Sequence, residues 1–160
     1  MIFVTLGSQK FQFDRLLGAV DELAGRGVIK DEVFAQTGYS EYKPQHYDYK
    51  QFLSRDEFSD IIGKADIVIT HGGTGAIIGA VKKGKKVLAV PRLKEYGEHV
   101  DNHQLQLVEQ FDEMGIIAAC YDLNQLEGCI SKIEKRVFLP YKSNTAKIIN
   151  SIDEFLSGRQ

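Results

Sequence analysis

Short apolar, β-branched runs alternate along the chain with stretches of helical period. The first run is Ile2-Phe3-Val4-Thr5-Leu6, and after it Phe13, Leu16, Leu17, Val20 and Leu23 recur at three- and four-residue steps to make one apolar face. This alternation predicts an α/β fold, a doubly wound parallel sheet whose strands are joined by crossover helices. Strands are expected at about 2–6, 32–37, 48–53, 66–70, 86–90 and 116–120, and helices at about 13–25, 55–64, 74–83, 101–113, 123–135 and 143–157. The strand at 66–70 is flanked by helices and belongs at the centre of the sheet. Asp122 or Asn124 suits the cap of the penultimate helix, and Ser143 or Asn144 that of the last. The last helix carries a stripe of Ile148, Ile149, Ile152, Phe155 and Leu156 after Pro140, fit to fold back on the domain or to dock on a partner. Between Gly38 and Lys50, Tyr39, Tyr42, Tyr47 and Tyr49 interleave with Lys, Glu and His, which reads as a surface loop leading into a strand.

Composition narrows this picture. A chain of 160 residues with 43% hydrophobic content can bury a core without disulfides or metals, and no repeat, low-complexity tract or linker divides it, so a single domain over 1–160 is expected. A net charge of −2 offers no basic field for nucleic acid. Cys120 and Cys129 stand apart from any Cys/His cluster and read as reduced, buried thiols. The apolar start is shorter than a signal sequence requires, and no apolar run reaches the roughly 18 residues of a membrane span. Any work at a membrane would need something else to bring the chain there.

Candidate chemistry concentrates in Asp66-Ile67-Val68-Ile69-Thr70-His71-Gly72-Gly73-Thr74-Gly75, where a buried strand runs through three glycines into a helix. The amides of about 73–75 would lack internal partners and, with the helix dipole, form an anion site that a Cβ would obstruct. Thr74 adds a hydroxyl. The plainer alternative is that the glycines only make a tight turn. A second turn, Gly7-Ser8-Gln9, follows the first strand, and two turns at the carboxyl ends of parallel strands can clasp one diphosphate. A third segment, from Pro91 and Arg92 through Glu98, His99, Asp101, Asn102, His103 and Gln104, places charged and amide groups suited to sugar hydroxyls in a loop expected near the glycines. Its alternative is a helix cap at Asp101 and a solvated face. His99 and His103, four apart, would share a helical face, but no third ligand supports a metal.

Three motifs, Ile2-Phe3-Val4-Thr5-Leu6-Gly7-Ser8, His71-Gly72-Gly73-Thr74-Gly75 and Asp101-Asn102-His103-Gln104, occur together in order over about residues 1–135. In this the chain resembles the donor-binding subunits of split GT-B glycosyltransferases, relatives of the C-terminal domain of glycosyltransferase family 28. These act on dolichol-linked sugars and, in bacteria, in capsule and exopolysaccharide synthesis. The resemblance implies a Rossmann-like GT-B half-domain that binds a UDP-sugar as donor substrate, with no cofactor. It implies a membrane-anchored partner that supplies a lipid-linked acceptor, transfer with inversion, and a place at the inner face of the membrane through that partner. It also places the uracil near Phe52-Leu53-Ser54-Arg55. Relatives commonly carry a Glu in the helix after the glycines for the ribose, where this chain has Gly79.

On this reading the amides of Gly73, Thr74 and Gly75, with Ser8 and Arg92, stabilise charge developing on the leaving UDP. The base is unassigned, His99 and His103 being the reachable candidates. Two rivals remain open: a non-catalytic regulatory subunit of the same fold, and a nicotinamide-dinucleotide domain suggested by Gly73-x-Gly75-x-x-x-Gly79. Against the latter, the glycines follow the fourth expected strand and not the first.

Overall fold

In the computed structural model, residues 1–142 are described. The helix expected over 143–157, with its caps and stripe, lies outside the described residues. Six strands, β1 (Ile2–Thr5), β2 (Val33–Gln36), β3 (Asp48–Lys50), β4 (Ile67–His71), β5 (Lys86–Val90) and β6 (Ala118–Ala119), form one sheet in the order β3-β2-β1-β4-β5-β6. Every pairing is parallel. Among the described residues four helices cross over between strands, α1 (Asp14–Gly25), α2 (Arg55–Lys64), α3 (Thr74–Lys82) and α4 (His103–Glu113), and α5 (Leu126–Lys135) follows β6. The strand order reverses between β1 and β4, so chains leaving these two neighbours turn to opposite faces and open a crevice at their carboxyl ends.

Side-chain alternation divides the core in two. Ile2, Val4, Ile67, Ile69, Leu88 and Val90 pack with α1 and α5 on one face, while Phe3, Val68, Val87 and Ala89 pack with α2, α3 and α4 on the other. Burial of each large apolar side chain contributes about 1.5–3 kcal/mol against the chain entropy lost. Strand β4, buried at all five positions, takes the central place its composition predicts.

Several boundaries differ from expectation. Strand β3 stops at Lys50 because it is an exposed edge with no apolar face to reward extension past that point. Helix α4 begins at His103 because the Asp101 carboxylate accepts the His103 amide, while Asn102 turns its side chain to the Lys94 amide. His99 therefore lies outside the helix and shares no helical face with His103. Asp122 accepts the Asn124 amide and opens a 3-10 turn over Leu123–Gln125 ahead of α5. The Tyr-rich loop is not simply a surface excursion. Asp21, buried on α1, accepts from the Tyr42 hydroxyl at 2.7 Å and from the amides of Gln45 and His46, and the Tyr47 hydroxyl donates to the Leu17 carbonyl. Burial opposes the Asp21 charge, but the bonds from Tyr42, Gln45 and His46 outweigh it and hold the carboxyl below its ordinary range.

Candidate functional site

At the carboxyl edge of β1 and β4 lies a groove of about 730 Å³. Gly7 and Ser8 enter it from the end of β1, Gln36 from the end of β2, Ser54 and Arg55 from the start of α2, and Gly75 and Gly79 from α3. Helix α3 starts at a glycine N-cap that provides no side-chain bond, and among the described residues the amides of Gly73, Thr74 and Gly75 donate no hydrogen bond. Open amides at the positive end of a helix dipole, beside a hollow floored by a second glycine turn, suit a polyanion. Opposite, Ser54 is held rigidly as the cap of α2 by a reciprocal bond pair with Glu57. No carboxylate lines the groove among the described residues, whereas Arg55 and Lys83 do.

The glycines divide by purpose. A Cβ on Gly73 would stand 2.3 Å from His71 Nε2, and one on Gly7, whose φ is +71°, would stand 2.7 Å from His71 Cε1. A Cβ on Gly72 would meet the Gln104 backbone and Val108 at 2.9 Å. These three permit close packing around one imidazole and against α4. Gly75 and Gly79, which line the groove, instead face open space, with nothing within 4 Å of the added carbon. His71 is thus the wedge beneath both turns. Burial, followed by the nearby Arg92 charge, pushes its pKa down to about 4, so the ring is neutral near pH 7.

The segment after β5 is arranged differently from the expected ligand loop. Arg92 is fully buried, and its guanidinium donates to the carbonyls of Leu6 and Phe11 at 2.9 and 3.0 Å. It braces the turn after β1 from behind and does not line the groove, while its Nε and Nη1 are buried without a hydrogen-bond partner among the described residues. Burial, only partly offset by Glu98, lowers its pKa to about 10, still well above neutrality. Glu98, also fully buried, is gripped by Arg15 at 2.8 and 3.0 Å and accepts the Leu93 amide, so it is not available to sugar hydroxyls. Gln104 accepts the Arg92 amide. Asp101 remains exposed, and the His103 amide holds its carboxyl below the ordinary range. The His99 ring packs on Phe11 at 4.5 Å and meets the Asp101 carboxylate at 3.2 Å.

Of the residues singled out from the sequence, Gly7, Ser8, Ser54, Arg55 and Gly75 converge on the groove. His71, Gly72 and Gly73 support it from beneath. Gln9, Thr74 and the 92–104 cluster stand outside its lining, and Phe52 is exposed against Tyr39 beside it. Sequence reasoning missed Gln36, Ser59 and Lys83. The signal for Gln36 was a polar residue ending an apolar strand; the other two carry none, since a Ser and a Lys on a helix read as solvated surface.

Strand order, groove position and open helix start define a Rossmann-like half-domain of the GT-B type. The chain belongs to the glycosyltransferase family 28 C-terminal domain family, whose pattern matches residues 1–156. The human UDP-N-acetylglucosamine transferase subunit ALG13 is 31% identical over 136 residues, covering 74% of this chain and 11% of that protein. The subunit of the same name from Candida glabrata is 29% identical, covering 75% of this chain and 58% of its own length. The chain therefore spans a small part of the human relative and a little over half of the yeast one. Among solved structures, the solution structure of ALG13 superposes with a TM-score of 0.61 at 18% identity, covering 97% of this chain and 94% of that one. MurG of Acinetobacter baumannii does so at 0.53 and 15%, covering 84% and 41%; at these identities the likeness concerns the fold.

Proposed function

We propose that this chain is the donor-binding half of a UDP-sugar glycosyltransferase, working with a partner subunit that provides the acceptor side. The observation that carries this reading is the open groove at the β1/β4 reversal, bounded by the Gly7-Ser8 turn and the uncapped start of α3. The diphosphate would lie at the uncapped start of α3, where Gly75 lines the groove, facing the Gly7-Ser8 turn, and the uridine toward Leu53-Ser54-Arg55. Donors set in place before reaction favour the leaving diphosphate as its charge grows, and one such donor is commonly worth about 2.7–4 kcal/mol of barrier. The names of the ALG13 relatives support both a UDP-linked sugar and subunit organisation.

The acceptor is proposed to be lipid-linked and the transfer inverting, with the chain held at the inner face of a membrane by its partner. No helix among the described residues is long and apolar enough to cross a membrane. No base is assigned on this chain, because neither His99, which packs on Phe11 and meets Asp101, nor His103 lines the groove. The family match favours this reading over the nicotinamide alternative.

Calorimetric titration of the chain with UDP, UDP-N-acetylglucosamine and NADPH tests the donor site. Uridine nucleotides are expected to bind and NADPH not; absence of UDP binding overturns the reading. Sugar transfer is expected only when the partner is added, and full turnover by the isolated chain would refute the division of labour.

A further inference from the structure

Gln36 ends the strand Val33-Phe34-Ala35 with a polar side chain and sits opposite Thr5 at the carboxyl edge of the sheet. It is 6% exposed and lines the same groove as Gly7, Leu53 and Gly79. Its Nε2 donates to the Gly7 carbonyl at 3.4 Å, which orients the amide. That leaves Oε1 shut from solvent and without a hydrogen-bond partner among the described residues. A desolvated, unmatched acceptor lowers the stability of the empty protein, and an apolar side chain of similar size would fill the place without that cost. The one reason the fold supplies for an amide is the long bond from Nε2 to the Gly7 carbonyl, which makes no use of Oε1.

Side-chain acceptors in the groove are hydroxyls and the Gln36 amide. The Ser54 hydroxyl accepts from the Glu57 amide and the Ser59 hydroxyl from Lys83, Thr5 and Ser8 also line it, and no carboxylate is among the described residues lining it. Gly79, where a longer side chain could have reached in, is bare. A uridine nucleotide brings unmatched donors of its own, the uracil imide N–H and the ribose hydroxyls.

We propose that Gln36 is a specificity-determining residue whose Oε1 accepts a hydrogen bond from the nucleoside of the bound donor. This rests on the reading of the groove as a UDP-sugar site. The amide is then a preformed acceptor, unsatisfied when the site is empty and matched when it is filled, so its cost falls on the free protein and its return on the complex.

The test is calorimetry on the full chain and on Gln36→Leu, with UDP, 2′-deoxy-UDP, 3′-deoxy-UDP and N3-methyl-UDP, alongside melting of both empty proteins. Gln36→Leu is expected to melt at or above the wild-type temperature while binding UDP roughly three- to tenfold more weakly, the effect of one neutral hydrogen bond. The penalty should vanish on the analogue that lacks the matching donor: a deoxy analogue if a ribose hydroxyl is read, the N3-methyl analogue if the imide is. Equal affinity of the two proteins for UDP, an undiminished penalty on all three analogues, or a lower melting temperature for Gln36→Leu overturns the proposal. Failure of the wild-type chain to bind UDP is a separate result, which removes the donor-site reading itself and the role of Gln36 with it.

Discussion

Gly79 provides the sharpest separation between stability and function. It lies within α3, which spans Thr74–Lys82, is exposed, and has nothing within 4 Å of the position a Cβ would occupy. Glycine within a helix costs roughly 0.5–1 kcal/mol relative to alanine, because the unfolded chain loses more freedom on folding. No packing contact here compensates for that cost. Gly79→Ala is therefore expected to stabilise the chain by about 0.5–1 kcal/mol, a rise of roughly 1–4 °C in Tm for a protein of this size. Gly79→Leu should be no less stable than wild type, since its side chain also enters open space. That space is the groove, however, and a leucine lying along α3 would occupy the volume proposed for the nucleotide. UDP affinity should then fall more than about tenfold, a loss of about 1.4 kcal/mol. Scanning calorimetry for melting and isothermal titration for binding read the two effects separately. A lower Tm for Gly79→Ala would show that the helix needs glycine for its own packing. Wild-type UDP affinity in Gly79→Leu would refute this groove as the donor site.

Two further expectations concern the supports of the groove. His71 is buried and neutral with its pKa depressed to about 4 from 6.5, so as pH falls between these values the unfolded chain takes up a proton that the folded chain refuses, and stability declines. Urea unfolding at pH 7 and pH 5, with NMR of the imidazole, checks this; a ring titrating near 6.5 would refute it. Arg92→Ala should destabilise by about 3–5 kcal/mol, because it leaves a large cavity and strips the Leu6 and Phe11 carbonyls of their donor. A loss below about 1 kcal/mol in urea unfolding would show that the guanidinium does not brace the turn.

The glycines show where sequence reasoning succeeds and where it stops. Three within four residues, between an apolar strand and an amphipathic helix, announce a turn of close approach, and the turn lies at the groove as expected. Spacing cannot reveal what each glycine approaches. Gly72 and Gly73 make room for neighbouring protein, whereas Gly75 faces open space at the groove. The segment from Arg92 to Gln104 shows the converse error. Its polar residues read as ligand contacts because charge in a loop is ordinarily solvated, yet Arg92 and Glu98 are fully buried and bonded to residues more than 80 positions away. Gln36 was overlooked because one amide at a strand end is unremarkable until its surroundings are known.

The order of elements, the two-sided apolar alternation of the strands and the positions of the helix-opening turns were settled by local pattern, because each follows from which side chains must leave water and where the backbone must bend. Which polar groups are consumed by the protein and which are left for a ligand was decided only by tertiary contact. Hydrogen-bond satisfaction depends on partners brought near by the whole sheet, and neighbours in the chain carry no record of it.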